Sequence, residues 1–222
     1  MGHATVRTAE EIAGKIASDV RAQPHAYEPA LRNIRKWHSQ ALAPEPANEV
    51  LAAAKLLAAD LHQEWKWMAY ELVRYHPGAY DSVAANDIAD FALDLQSWYA
   101  VDGFGTVLVG PIWAKGCIDD AMVEAWSKSQ NRWLRRLALV ATVGLNSAQS
   151  GSSDADRTLP ICRQLAADTD DMVAKALAWS LRTLAKRDRA SVAAFVQQMD
   201  SVLTGGVRRE IHNQLKFGTR RG

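Results

Sequence analysis

Nearly every segment of the chain carries apolar residues at intervals of three and four positions, the spacing of one face of an α-helix. The clearest runs are Val50–Leu61, Trp133–Val143 and Met172–Ala185, all rich in Ala and Leu. Strand-like alternation is scarce. Residues 103–110 resemble a short strand in isolation, but between helical neighbours they favour a helix beginning near Thr106. The pattern predicts an all-α protein.

Short polar or Pro/Gly segments separate the helical runs. They fall at residues 43–46, 76–78, 102–103 and 146–156, and the last, rich in Ser and Gly, is predicted to be a mobile loop. The acidic run at 168–171 predicts a helix start, because acids are favourable at the positive end of the helix dipole. Short helices joined by short turns predict an α-solenoid of antiparallel helix pairs, in degenerate HEAT-like units of roughly 40 residues.

The size of the chain, 222 residues of which 48% are hydrophobic, predicts one domain over residues 1–222, with about residues 1–8 disordered. Cys117 and Cys162 lie far apart and outside any metal-binding spacing, which favours a reducing cytoplasm and argues against a disulfide framework or a zinc site. The chain has neither a signal-like start nor the roughly 18 apolar residues of a membrane span. It also lacks glycine-rich nucleotide motifs and a zinc motif such as HExxH, so neither a nucleotide cofactor nor a zinc site has support in the sequence.

Charge is distributed unevenly along the chain. Residues 1–127 hold 10 Lys/Arg and 17 Asp/Glu, whereas residues 128–222 hold 16 Lys/Arg and 8 Asp/Glu. The C-terminal half is therefore expected to face an anion, with nucleic acid as the leading candidate. Ordinary solvated helix faces whose charges happen to segregate are the alternative explanation.

The segment that most suggests chemistry holds Trp98, Tyr99 and Asp102. On a helix, residues three and four apart share a face, so the carboxylate lies beside two aromatic rings. That combination suits a flat substrate that carries positive charge. Two structural explanations compete with this one. Asp102 precedes Gly103 and can simply end a helix, and the aromatic residues can belong to the core.

Two later segments add an arginine cluster and another tryptophan. Arg132, Arg135 and Arg136 lie at the start of one predicted helix, and Trp179 interrupts a run of small residues in another. Equivalent positions of successive helices line one concave wall of a solenoid, so Trp98, Asp102, Arg136 and Trp179 are hypothesised to converge. A solvated face is the alternative for the arginines. Four other tryptophans, Trp65, Trp67, Trp113 and Trp126, are interpreted as packing residues.

Taken together, these segments resemble the AlkD family of DNA alkylation repair glycosylases, which are built from HEAT-like repeats. The resemblance rests on the aromatic pair Trp98–Tyr99, on Asp102, on Trp133-Leu-Arg-Arg136 and on Lys175-Ala-Leu-Ala-Trp179-Ser-Leu-Arg182. An earlier element, Pro29-Ala-Leu-Arg-Asn-Ile-Arg-Lys36, is also similar to the family's. The match runs from about residue 25 to the C-terminus, and the order and spacing of the elements make it specific.

The resemblance implies a glycosylase that excises cationic N-alkylated purines, such as 3-methyladenine and 7-methylguanine, from duplex DNA held on the concave face. It implies that the base is not turned into a pocket, and that the enzyme acts as a monomer without a cofactor. Asp102 is the expected catalytic residue, and Trp98, Tyr99 and Trp179 are expected to contact the sugar and backbone. The expected DNA-binding residues are Lys128, Arg132, Arg135, Arg136, Arg182, Lys186, Arg208 and Arg209.

The chain departs from the family pattern at two positions. Resembling enzymes usually have Trp where this chain has Tyr99, and an additional acid where it has Ala100. These departures leave two other functions open. One is a non-enzymatic relative that binds distorted or branched DNA. The other is a HEAT-like scaffold for protein partners.

Overall fold

The computed structural model describes residues 6–23, 28–147 and 153–217, and every regular element within these ranges is helical. The prediction of an all-α protein is therefore confirmed. The chain divides into two compact units, Met1–Gly103 and Phe104–Gly222. We call them the N-terminal and the C-terminal unit and describe each by itself. The prediction that residues 1–222 form one domain stays a prediction.

The helices of the N-terminal unit follow one another through short turns. They are α1 (Ala9–Arg21), α2 (Glu28–Leu42), α3 (Ala47–Asp60), α4 (Trp67–Tyr75), α5 (Pro77–Ser82), α6 (Ala85–Ala92) and α7 (Trp98–Phe104), whose last residue opens the other unit.

Helix α3 is the centre of this unit, because it packs against α1, α4, α5 and α6. Ala53, Ala54 and Leu57 are almost completely buried on it, and the small alanines allow the neighbouring helices to approach closely. Thr8 caps α1 in a reciprocal capping box with Glu11, which satisfies the exposed amides of the first turn. Of the residues expected to be disordered, 1–5 lie outside the described ranges.

The C-terminal unit begins with a π-helical turn and continues through seven α-helices. They are the π turn (Gly105–Val109), α8 (Gly110–Ala114), α9 (Asp120–Ser127), α10 (Arg132–Leu145), α11 (Ala155–Gln164), α12 (Asp171–Ala185), α13 (Arg189–Met199) and α14 (Gly205–Phe217). Residues 103–110 are thus helical rather than extended, although the π geometry was not expected from the sequence.

Helix α10 is the hub of the C-terminal unit, and its residues 136–145 are all buried. It packs against the π turn, α8, α9, α11 and α12. On one side, the backbone of α10 lies directly against the backbone of the π turn and of α8. A Cβ placed on Gly144 would lie 2.7 Å from the carbonyl oxygen of Gly105 and 3.1 Å from the Cα of Gly110. Only glycine fits such a contact.

Most of the predicted helix boundaries match the structure. The turn at residues 43–46 separates two helices as expected, whereas of the predicted break at 76–78 only His76 lies between helices, and Pro77 and Gly78 begin α5. The acidic run predicted to start a helix does so, because the Asp170 carboxylate caps α12 by accepting from the Met172 and Val173 amides. The predicted mobile loop falls between α10 and α11, and its residues 148–152 lie outside the described ranges.

Candidate functional site

Helix α7 carries three of the four residues predicted to form the active site, Trp98, Tyr99 and Asp102, and Asp102 lies inside the helix rather than at its end. The helix starts where the Ser97 hydroxyl accepts from the Ala100 amide. It passes through Asp102 and Gly103 without a break, and the chain stays helical into the π turn. The predicted break at residues 102–103, and with it the alternative that Asp102 merely ends a helix, is wrong.

Gly103 allows α7 to lie directly on the start of α4. A Cβ at this position would lie 3.0 Å from the Cβ of Trp67 and 3.7 Å from the Tyr70 ring. The 3.0 Å distance is shorter than an ordinary side-chain contact, so the glycine serves close packing instead of a turn. This contact sets the position of the end of α7, where Asp102 lies, against α4.

The rings of Trp98 and Tyr99 form one stacked platform. Their centroids lie 3.6 Å apart, and the ring planes are inclined by 25°. The two residues are 42% and 44% exposed. The alternative that they belong to the core is therefore wrong, and their exposed faces can contact a flat or sugar-like ligand.

The opposite face of α7 is closed to solvent. Ala100 and Val101 have no exposed surface, whereas Asp102 is half-buried. Ala100 stands where resembling enzymes have an additional acid, and an unpaired carboxylate in such a place carries a large desolvation cost. Asp102 is thus the residue of this helix that presents a carboxylate beside the ring platform.

A groove of about 300 Å³ lies against Tyr99 within the N-terminal unit. We call it the aromatic groove, and its walls consist of three aromatic residues, one leucine and two glutamates. They are Leu31, Trp65, Trp67, Tyr99, Glu28 and Glu64.

Trp65 and Trp67, interpreted from the sequence as packing residues, are both half-buried and also line the aromatic groove, and Trp67 packs against Gly103. Trp113 is only 1% exposed, as the packing interpretation requires, and its indole donates to Asp120 over 2.8 Å. No pattern within residues 65–67 indicated the groove, because its formation depends on Tyr99 from another segment.

Lys66 anchors the two groove tryptophans between which it lies. It is 3% exposed, and its Nζ lies 2.8 Å from the Asp94 carboxylate and 3.2 Å from the Asp94 carbonyl oxygen. The ammonium lowers the pKa of Asp94. The Gln63 side chain also bonds to the backbone of Asp94 and Gln96, over 2.8 and 2.9 Å. The segments that precede α4 and α7 are therefore held together.

Arg32 contacts two residues of the aromatic groove, Glu28 and Trp67. Its guanidinium lies 2.5 Å from Glu28, 3.1 Å from Glu71 and 4.8 Å from the Trp67 ring centroid. The Glu28 hydrogen bond is the largest cause of a raised Arg32 pKa. Glu71 also pairs with Arg35 over 2.7 Å. Glu28 is thus ion-paired although its side chain is 64% exposed, and Glu64 is also exposed.

Trp179 lies on α12 in the C-terminal unit, where it is half-buried and borders a second groove of about 570 Å³. Two cations, Lys186 and Arg187, line the same groove. The Thr183 hydroxyl, another lining group, donates to the Trp179 carbonyl over 2.9 Å. A ring beside two cations and a hydroxyl is suited to a phosphate-bearing ligand.

Arg136 does not face solvent as predicted. It is 5% exposed, and its guanidinium donates to the Met172 carbonyl oxygen at the start of α12. Arg135 is also used within the unit, because its Nε lies 2.7 Å from Asp168 and its Nη1 donates to the Ser129 and Gln130 carbonyls over 3.0 Å each. Both arginines hold helix ends together, and their contact with DNA stays a prediction.

The other predicted DNA-binding residues lie nearer the surface. Arg132 has a half-exposed side chain, 3.6 Å from Asp170 and 4.6 Å from the Trp133 ring centroid. Most of the others pair with a carboxylate in their own unit. These pairs are Lys128 with Glu124, Arg182 with Glu210, and Arg208 with Asp200, whereas Lys186 and Arg209 are exposed.

The structure brings Trp98, Tyr99 and Asp102 together on α7, and it brings Trp179 together with Lys186 in one groove. The convergence of Asp102, Arg136 and Trp179 stays a prediction.

A family model described as DNA alkylation repair enzyme matches residues 26–214. The chain belongs to this family. Among solved structures it is similar to a predicted DNA alkylation repair enzyme from Enterococcus faecalis, with 17% identity and a TM-score of 0.71 over 97% of this chain and 100% of the other. This likeness confirms the all-α, solenoid-like fold. The comparison with curated proteins gave no match.

Membership of the DNA alkylation repair enzyme family implies DNA as a partner and a role in the repair of alkylated DNA. In the part of the chain that the structure describes, no helix has the length and apolar character that crossing a bilayer requires. Across the same residues, no three His, Cys, Asp or Glu side chains are grouped closely enough to bind a metal ion.

Proposed function

We propose that this protein is a DNA glycosylase that hydrolyses the N-glycosidic bond of cationic N-alkylated purines, such as 3-methyladenine and 7-methylguanine, in duplex DNA. The observation that carries the proposal is the half-buried Asp102 carboxylate on α7, beside the exposed and stacked Trp98–Tyr99 platform. Family membership supplies the context of alkylation repair.

The chemistry of the substrate explains why one carboxylate suffices. An alkylated purine already carries positive charge and is a good leaving group. As its bond to C1′ breaks, positive charge develops on the deoxyribose, and an adjacent carboxylate stabilises that state. Asp102 also accepts a proton from, or orients, the water that attacks C1′. The bonding electrons leave with the purine, which becomes neutral.

The aromatic platform and the basic unit have separate roles in this proposal. Trp98 and Tyr99 pack against the sugar and backbone near the lesion, and they attract positive charge at their ring faces. Trp179 has the same role from α12, with Lys186 and Arg187 binding phosphates through charge-assisted hydrogen bonds. These phosphate contacts give affinity that does not depend on sequence. The proposed enzyme acts as a monomer in the cytoplasm.

The decisive experiment compares Asp102→Asn with the parent in single-turnover release of 7-methylguanine from methylated duplex DNA. The variant keeps the size of the side chain but removes its charge, so the rate should fall by roughly 10²–10³-fold while DNA affinity stays unchanged. Asp60→Asn is the matched control, because Asp60 is exposed on α3 and pairs only weakly at the surface with Arg21. Equal release by Asp102→Asn and the parent would contradict the assignment.

A second candidate function is supported by the burial of Ala100. The position where resembling enzymes have an additional acid is here inside the protein, and Tyr99 replaces a tryptophan. A relative that binds distorted DNA without excising a base fits these departures. This candidate predicts tight binding of methylated DNA and no release of free base by the parent protein.

A further inference from the structure

Lys66 is a buried cation that the proposed reaction does not use directly. It is 3% exposed, and it bonds to Asp94 in the segment 93–97, which connects α6 to α7. We propose that Lys66 is a positioning residue of the candidate site: by fixing this connection, it sets the orientation of α7 and thereby that of the aromatic platform and Asp102. This inference rests on the proposed function and adds to it a residue that acts without touching the substrate.

Lys66 fixes both the backbone and the side chain of Asp94. Its Nζ lies 3.2 Å from the Asp94 carbonyl oxygen and 2.8 Å from the carboxylate. Gln63 adds two bonds to the same connection. Its amide nitrogen donates to the Asp94 carbonyl over 2.8 Å, and its amide oxygen accepts from the backbone amide of Gln96 over 2.9 Å. The chain is therefore tied to residues 63–66 immediately before α7 begins.

The other end of α7 lies on the same segment. A Cβ placed on Gly103 would lie 3.0 Å from the Cβ of Trp67, the residue that follows Lys66. Both ends of this seven-residue helix are thus held by residues 63–67. Side chains four positions apart share one face of a helix, so a rotation of α7 would displace the platform and the Asp102 carboxylate together.

The exposure of the two partners indicates that this ion pair contributes to geometry more than to stability. The Lys66 side chain is 4% exposed, whereas that of Asp94 is 52% exposed. A buried ammonium loses its water, and because only well-placed bonds offset that cost, replacing it by an apolar side chain of similar volume is often nearly neutral for folding. Asp94 would keep its water after such a replacement. Removal of the ammonium is therefore expected to loosen α7 without unfolding the protein.

A loosened α7 would affect the chemical step more than the binding of DNA. A displacement of about 1 Å between reacting groups can slow a reaction by about 100-fold. In the proposed function, affinity comes mainly from phosphates bound by cations of the C-terminal unit, which lie on other helices. A loss of rate at constant affinity is therefore expected of Lys66, whereas a residue that only stabilises the fold would lower both.

The test compares the parent with Lys66→Met, which keeps the apolar stem of the side chain but removes the ammonium. Single-turnover release of 7-methylguanine from methylated duplex DNA should slow by at least about tenfold, while the Kd for that DNA should change by less than about twofold. Lys55→Met is the matched control, because Lys55 also joins two elements, through ion pairs of 2.5 Å to Asp87 and 2.9 Å to Asp90. These partners lie on α6 and not in the connection to α7, so this variant should release base at the rate of the parent.

Hydrogen exchange measures how firmly α7 is held, and it requires no excision. In Lys66→Met, the amides of residues 98–103 should exchange at least about threefold faster than in the parent, while those of α1 keep the rates of the parent, because local opening breaks only the bonds of one segment. Should Lys66→Met fail to fold, Gln63→Ala removes the other two bonds to the connection from a half-buried position. It should produce the same two changes with smaller size.

The outcomes separate this inference from the proposed function. Slower release at constant affinity, together with faster exchange in α7, supports the assignment of Lys66. Release at the rate of the parent, exchange at the rate of the parent, or a loss of affinity as large as the loss of rate each overturns it. A parent protein that releases no base refutes the glycosylase instead, and the exchange of α7 then decides alone whether Lys66 positions the helix.

Discussion

The two units of this protein differ in how they use charged residues. The N-terminal unit holds 9 Lys/Arg and 14 Asp/Glu, a net charge of −5, and presents aromatic rings to solvent around Asp102 and the aromatic groove. The C-terminal unit holds 17 Lys/Arg and 11 Asp/Glu, a net charge of +6. Yet Arg135 and Arg136 are bonded to carbonyl and carboxylate groups inside it.

The comparison shows that a count of cations overstates a DNA-binding surface. A guanidinium has five N–H donors, and a buried one bonds readily to the carbonyl groups at helix ends. Such an arginine stabilises the fold, but its donors are then not free to bind DNA phosphates. The cations expected to bind DNA are those with exposed side chains, such as Arg132 and Lys186. The acidic unit, by contrast, keeps its chemically distinctive residues at the surface.

The largest effect is expected when a charge is placed at Ala100, on the face of α7 that is closed to solvent. Ala100→Asp should destabilise the protein by about 3 kcal/mol or more, because an unpaired carboxylate would lose its water. Leu93→Asp is the control, since Leu93 is 84% exposed and should tolerate the charge. Urea unfolding of both variants measures the difference, and a similar loss for the two would mean that Ala100 is accessible.

The next effect separates the two kinds of arginine in the C-terminal unit. Arg136→Ala should lower the free energy of unfolding by about 2 kcal/mol, because the Met172 carbonyl loses its donor. Arg132→Ala should change stability by less than about 0.5 kcal/mol, but should reduce the salt dependence of DNA binding by about one phosphate contact. If Arg136→Ala instead reduced the salt dependence of DNA binding without destabilising the protein, Arg136 would be assigned a contact with DNA.

A smaller effect concerns the contact between α7 and α4. Gly103→Ala should cost about 1 kcal/mol and slow base release, because the added methyl meets Trp67 and displaces Asp102. Gly14→Ala on α1 is the matched control. Nothing lies within 4 Å of its added Cβ, so it should stabilise the helix slightly. Normal release by Gly103→Ala would mean that α7 tolerates the shift.

The smallest effect is a pH dependence within the N-terminal unit. Burial lowers the pKa of His38 below its usual value of 6.5, even though Asp19 lies 2.9 Å away. The unfolded chain therefore takes up the proton first as the pH falls through 6.5, and stability decreases. Unfolding between about pH 7 and pH 5 should show this slope, and His38→Asn should flatten it. An unchanged slope in the variant would assign it to other groups.

Sequence patterns predicted the helices well because local spacing determines them. The buried stretch of α10 and the acidic start of α12 both follow from side chains within one or two turns. The error at residues 102–103 has a different origin. Gly103 looks like a helix break, but its role is to meet Trp67, a residue 36 positions away whose proximity no local pattern contains.

The candidate site was predicted only in part for the same reason. The shared face of Trp98, Tyr99 and Asp102 follows from helical spacing, and the structure confirms that they lie on one helix. The aromatic groove depends on Trp65 and Trp67 from one segment meeting Tyr99 from another, and the inward direction of Arg136 depends on where α12 begins. Such facts arise from packing between elements, which spacing along one element does not encode.

The backbone contact around Gly144 has a consequence for the history of this chain. A Cβ on Gly110 would lie 2.5 Å from the Cα of Gly144, and a Cβ on Gly144 would lie 3.1 Å from the Cα of Gly110, so neither residue can acquire a methyl group while the other keeps its place. Descendants are therefore expected to retain both glycines or to lose them together. A relative in which only one has changed would have a different register between α8 and α10.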